Sequence, residues 1–237
     1  MNGLFDDAAR LRTAATWVMG RGMAMALQSA WTEWERTLQT GDLVFFHGIF
    51  LESEEIEIIS RSEWSHVGMV VRLPGFDEAL LWESTTTETL EDVEQHRIKT
   101  GPMLVRLRER IATDEADRYD SRYAFRQLQG DRPADTLDKF QAFVEEVHDA
   151  SFPSLTKMAE ELLAGSWDCQ ADEKTFFCSE LVAETYMRLG WMERGHPSNY
   201  YTPKLLAKSQ DLPLAAGLVL ARELRYLKDA EIPTVQP

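Results

Sequence analysis

The sequence predicts an α+β chain, and three stretches carry that reading. Residues 64–71 and 79–83 are short runs rich in β-branched and aromatic side chains, parted by Leu73-Pro74-Gly75-Phe76-Asp77, and the pair reads as a hairpin. In residues 176–189, Leu181, Val182, Thr185, Tyr186 and Leu189 recur at helical spacing before Gly190 supplies a stop. Residues 136–148 form an amphipathic helix with Leu137, Phe140, Val144 and Val147 on one face.

The remaining elements follow in chain order. Residues 4–38 read as helix, with Leu27, Trp31, Trp34 and Leu38 on one face and a break at Gly20-Arg21-Gly22. A stripe of Met, Ala and Trp of this kind is ordinarily core. Thr40-Gly41-Asp42 turns the chain into a strand at Leu43-Val44-Phe45-Phe46, with His47 at its end, and residues 51–62 read as helix. Centring the hairpin turn on Pro74-Gly75 sets Val71 opposite Glu78 and His66 opposite Glu83. Opposed residues share a sheet face, so a histidine and a carboxylate would lie side by side; a slip of one residue would turn Glu83 to the other face. Beyond the polar loop from Ser84 to Thr87, residues 103–107 read as strand, 113–129 and 155–163 as helix, 205–208 as a short helix and 218–226 as a closing strand. Without internal repeats or a low-complexity linker, residues 1–237 read as one domain, with an N-terminal helical segment 1–38 and a helical insertion at about 114–167.

Composition narrows the function. The net charge of -15 argues against nucleic acid and against anionic membrane surfaces, both of which ask for clustered Lys and Arg. The only cysteines, Cys169 and Cys178, match neither a disulfide framework nor a zinc-site spacing, so a reducing compartment and no metal or other cofactor are expected. Asp6 and Asp7 precede the first basic residue, and Arg10, Arg12 and Arg21 interrupt the apolar residues, a poor signal peptide. The default expectation is a cytoplasmic protein acting on a small molecule or peptide, with delivery by a signal-less secretion route as the alternative.

The chemistry gathers at Cys178. It falls in the first turn of its helix, where the partial positive charge of the N-terminus favours a thiolate; a small buried hydrophobe is the plainer reading of a lone cysteine. A thiol at a helix start, a histidine at a strand start (His66) and a polar residue on the neighbouring strand (Glu83) are the parts of a cysteine hydrolase. Asp42 and His47 stand in reserve, as do Ser84 and Thr85 should the hairpin register differ. The turn-rich loop 197–203 carries Tyr200 and Tyr201, which either grip a substrate or cap the core.

Four short motifs in fixed order make the resemblance specific. These are Gly41-Asp42-Leu43-Val44-Phe45, then Trp64-Ser65-His66-Val67-Gly68-Met69-Val70, then Trp82-Glu83, then Phe177-Cys178-Ser179-Glu180-Leu181-Val182. Over roughly residues 38–226 the chain resembles the circularly permuted papain-like hydrolases, the NlpC-type superfamily members related to the YaeF/YiiX amidases. Residues 1–37 and 114–167 lie outside the motifs. The resemblance implies a papain-like α+β fold, an antiparallel sheet carrying the histidine packed on the helix that presents the cysteine. It implies Cys178 as nucleophile, His66 as general base, Glu83 as orienter and the Cys178 backbone N–H in an oxyanion hole. The implied reaction is hydrolysis of an amide (a peptide, a peptidoglycan stem peptide or another small amide) through a thioester, as in cysteine peptidases and some antibacterial effectors. Phe177-Cys178-Ser179-Glu180 departs from the Asn-Cys-Glu-His type motif of the lecithin:retinol acyltransferase branch, which makes lipid or thioester acyl chemistry the runner-up. A catalytically inactive binding module and a metal site on Cys178, His66 and Glu83 complete the alternatives. Glu180 reads as structural.

Overall fold

The computed structural model describes residues 34–47, 63–116, 122–171 and 174–226, and those from Leu38 onward belong to one compact unit. Its strands are β1 (Leu43–His47), β2 (His66–Val71), β3 (Leu80–Thr85), β4 (Glu91–Asp92), β5 (Arg97–Ile98), β6 (Gly101–Arg106), β7 (Arg122–Arg126), β8 (Leu128–Gln129), β9 (Val219–Leu220) and β10 (Leu224–Tyr226). Its helices are α1 (Leu107–Ala116), α2 (Thr136–Val147), α3 (Leu155–Ser166), α4 (Cys178–Arg188) and α5 (Pro203–Lys208), with a 3-10 turn at Ser198–Tyr200. Six strands form one antiparallel sheet in the order β10-β7-β1-β2-β3-β6, so the expected antiparallel sheet packed against helices is what the chain builds.

Alternation along the strands divides the sheet into two faces. Val67, Met69 and Val71 of β2 join Leu80 and Trp82 of β3 in the main core with Leu181, Val182 and Tyr186 of α4. Trp82 Nε1 donates to Thr185 Oγ1 at 3.0 Å, and the Trp82 ring meets Phe140 of α2 edge-on, centroids 5.6 Å apart. The Tyr186 hydroxyl donates to the carbonyl of Gly41, which pins α4 to the turn before β1. Gly190, at φ +73, ends α4 in the left-handed conformation that glycine adopts without a Cβ penalty. Residues His66 and Glu83 alternate onto the opposite face, where Phe46 and Tyr123 meet edge-on.

Three expectations need correction. Val71 pairs with Leu80, not Glu78, so the hairpin register differs by two residues from the one centred on Pro74-Gly75. The turn closed by Phe76 N–H on the Leu73 carbonyl is followed by three further residues outside the ladder, and Glu78 is drawn aside to Arg106, 2.5 Å away. The same register carried along the strands sets Glu83 across from Gly68 rather than from His66. Residues 122–129, expected as helix, are β7 and β8; the period-2 run Tyr123-Ala124-Phe125 slots between β1 and β10. The closing strand is two, with β9 paired to β8 and β10 on the sheet edge. Residues 91–98, charged and unassigned from sequence, form the small β4–β5 ladder. Of the helix expected over 4–38, residues 4–33 lie outside the described residues, as does the helix expected over 51–62.

Candidate active site

Cys178 opens α4, and the chain leading to it is tied on two sides. Ser151 N–H donates to the Lys174 carbonyl at 3.1 Å, and Phe176 N–H donates back to the Ser151 carbonyl at 3.0 Å. From the sheet, Ser84 Oγ of β3 donates to the Phe176 carbonyl at 2.6 Å. Phe177 is extended and offers no side-chain cap; instead the Glu180 carboxylate, buried in the first turn, accepts from Phe177 N–H at 3.4 Å. Glu180 is therefore a structural group, as its place in the sequence suggests. Cys178 itself is 5% exposed.

The structure brings Cys178, His66 and Glu83 together. His66, fully buried at the start of β2, places Nε2 2.6 Å from Glu83 Oε2, and Cys178 lies near enough to help raise the pKa of the ring. With Nε2 committed to Glu83, the ring nitrogen left for the thiol is Nδ1. The pairing survives the register difference because a shift of two residues conserves the sheet face, and diagonal neighbours remain within reach of long side chains. Phe46 flanks the imidazole with ring centroids 5.5 Å apart.

Electrostatics at this site are set by burial and opposed by pairing. Burial alone would lower the His66 pKa; the interactions with Cys178 and Glu83 outweigh it and raise it from 6.5 to about 9. Burial likewise disfavours a charged Glu83, yet the adjacent Arg110 charge and the His66 hydrogen bond hold its carboxyl below the ordinary carboxylate range. Arg110, from α1, is the group that sequence reasoning missed. Its Nε donates to Glu83 Oε1 at 2.7 Å, its Nη2 reaches the same oxygen, and its Nη1 lies 3.2 Å from Thr87 Oγ1 and 3.4 Å from Thr89 Oγ1. One signal pointed that way: a carboxylate on a buried strand face needs a cation. Nothing in the spacing says which of 25 Lys and Arg residues supplies it.

The other candidates are held by other partners. Asp42 is buried and accepts from the N–H groups of Gln39 and Leu128, both at 2.9 Å, a turn-fixing role in which burial raises its pKa. His47 Nδ1 sits 2.7 Å from the Glu63 carbonyl and Nε2 lies 2.5 Å from Arg122. Ser84 supports the Phe176 carbonyl, and Thr85 Oγ1 is 2.9 Å from Thr87 Oγ1. Tyr201 is 2% exposed and part of the core; Tyr200 is partly exposed and stacks on His196 at 4.1 Å. Cys169 is exposed, its sulfur 3.7 Å from the Trp167 carbonyl. Among the described residues no group of three or more His, Cys, Asp and Glu is placed to hold a metal ion. No described helix is long and apolar enough to cross a membrane.

No protein-family model matches the chain, and no curated protein matches it. Among solved structures it is similar to the metalloprotein YiiX from Escherichia coli O157:H7, at 17% identity and TM-score 0.43, over 81% of this chain and 98% of that one.

Proposed function

We propose that the chain is a cysteine hydrolase of the permuted papain-like type that cleaves an amide bond through a thioester on Cys178. The observation that carries the reading is the buried His66–Glu83 pair beside Cys178, with the thiol at a helix N-terminus. An imidazolium held by Glu83 beside the thiol favours the ion pair in which the proton rests on His66 and the sulfur is the nucleophile. The sulfur attacks the carbonyl carbon, and the developing oxyanion is met by the Cys178 backbone N–H in the first turn of α4. The C–N bond breaks as His66 Nδ1–H passes its proton to the leaving amine. The neutral imidazole then takes a proton from water, whose oxygen attacks the thioester, and the acid departs from sulfur.

A peptide, a peptidoglycan stem peptide or another small amide fits this chemistry. The test uses p-nitrophenyl acetate as an acyl donor and mass spectrometry of the quenched protein. An acetyl group on Cys178, lost in Cys178→Ala and retained in Cys169→Ala, is the expected result. Acetylation confined to Cys169, with no release of nitrophenol that depends on Cys178, would sink the reading in favour of a binding module. Peptide amides turned over more slowly than fatty acyl esters would move it to lipid chemistry.

A further inference from the structure

Glu83 Oε2 faces His66, while Oε1 takes both the Nε and the Nη2 groups of Arg110. Arg110 is 2% exposed and Glu83 and His66 are fully buried, so no bulk water shares in this exchange of charge. The remaining guanidinium nitrogen is occupied by Thr87 and Thr89. Thr87 Oγ1 is in turn bonded to Thr85 Oγ1 on the same strand as Glu83.

A buried carboxyl with no cation beside it takes up a proton. Protonated, Glu83 would present an O–H to His66, and Nε2 would have to accept it. The ring proton of a neutral imidazole would then sit on Nδ1, the nitrogen left for Cys178, which would leave no acceptor for the thiol proton. Ionised, Glu83 can only accept, so Nε2 must carry the hydrogen and Nδ1 is left with its lone pair. The choice between a working and a blocked base therefore turns on whether Glu83 is charged.

We propose that Arg110 is a positioning residue that, by keeping Glu83 a carboxylate, fixes the tautomer of His66 and leaves Nδ1 as the proton acceptor toward Cys178. Its catalytic consequence rests on the cysteine-hydrolase reading; its effect on the imidazole does not. The fork geometry matters as well as the charge, because two parallel N–H donors on one oxygen turn the other oxygen toward the ring.

The test is nitrogen NMR of histidine-labelled protein, with the His66 signals assigned by their loss in His66→Gln. In the wild type above the His66 midpoint, the neutral ring should carry its hydrogen on Nε2. In Arg110→Met the hydrogen should move to Nδ1 and the midpoint should fall below that of the wild type, while Arg110→Lys restores the Nε2–H form. Turnover should drop about 10–100-fold in Arg110→Met, the usual cost of losing a group that orients a catalytic partner, and Glu83→Gln should cost little more in that background. A wild-type ring with its hydrogen on Nδ1 overturns the proposal whether or not Arg110→Met folds. So does a folded Arg110→Met with the wild-type tautomer and midpoint, even if its turnover falls. The expected spectra in a protein whose Cys178 takes no acyl group would leave Arg110 in this role and remove the hydrolase instead.

Discussion

His66 is pulled in two directions, toward neutrality by its burial and toward a positive charge by Glu83 and Cys178, and the second pull wins. Because its folded pKa is raised, from 6.5 to about 9, the stability it contributes is whole below pH 6.5 and is lost as pH rises through about 9. The melting temperature of the wild type should therefore decline between pH 7 and 10 more steeply than that of His66→Gln, and equal slopes would contradict the assignment. Turnover should hold up to about pH 9 and fall above it. Cys178→Ala and His66→Ala should each remove at least about 10³-fold of the rate, with Glu83→Gln leaving a larger remainder. Brief iodoacetamide treatment at pH 6 should modify Cys178 before Cys169 although Cys169 is the exposed one; first labelling at Cys169 would mean that access, not activation, governs. His66 and Glu83 were legible in the sequence for a reason stronger than the register itself. Two-residue errors conserve the face of a strand, so the pair survives a wrong turn centre. Arg110 was not legible, because its meeting with Glu83 depends on how α1 folds back over the sheet.

Elements hold the site by a few bonds that can be removed singly. Ser84→Ala would leave the Phe176 carbonyl without its donor and should cost about 1–3 kcal/mol by denaturant unfolding, with a further loss of turnover as the approach to Cys178 loosens. Gly68 lies on β2 where a Cβ would stand 2.7 Å from Leu81 Cδ1 and 3.1 Å from the Trp82 carbonyl oxygen. Gly68→Ala should therefore destabilise by about 1–3 kcal/mol through overpacking. Tyr201 is buried, and its hydroxyl has no partner among the described residues, so Tyr201→Phe should leave the melting temperature unchanged or raise it, whereas Tyr201→Ala should lower it sharply. A changed KM in Tyr200→Ala with an unchanged melting temperature would give that ring to the substrate. The hydrophobic periods of α2 and α4 were long enough to read from sequence, as were the β-branched runs of β2 and β3. β7 was not: five residues that begin at Arg122 and end at Arg126 carry too short a pattern, and its strand state comes from neighbours far away in the chain.

At the scale of the whole molecule, the acidic exterior and the sealed interior answer to salt differently. Arg110, Glu83 and His66 are buried beyond the reach of mobile ions, so kcat on an uncharged amide should be nearly constant from low to high salt. The net charge of -15 should make KM for cationic substrates rise with salt and should keep the protein off anionic vesicles in flotation; salt-sensitive flotation would instead favour the lipid reading. The order of the sheet has a consequence in time. The β2–β3 hairpin that holds His66 and Glu83 is local in the chain, while β1 must wait for β7, and β7 for β10 near the last described residues. Local contacts form early and distant ones late. The histidine and its carboxylate are thus within reach of each other early in folding, and Cys178 meets them only after long loops have closed. A newly made chain would carry an unarmed thiol until its sheet was complete. In refolding from denaturant, the moment at which Cys178 begins to outpace Cys169 toward iodoacetamide should trail the return of hairpin amide protection, making the nucleophile a clock for the last step of assembly.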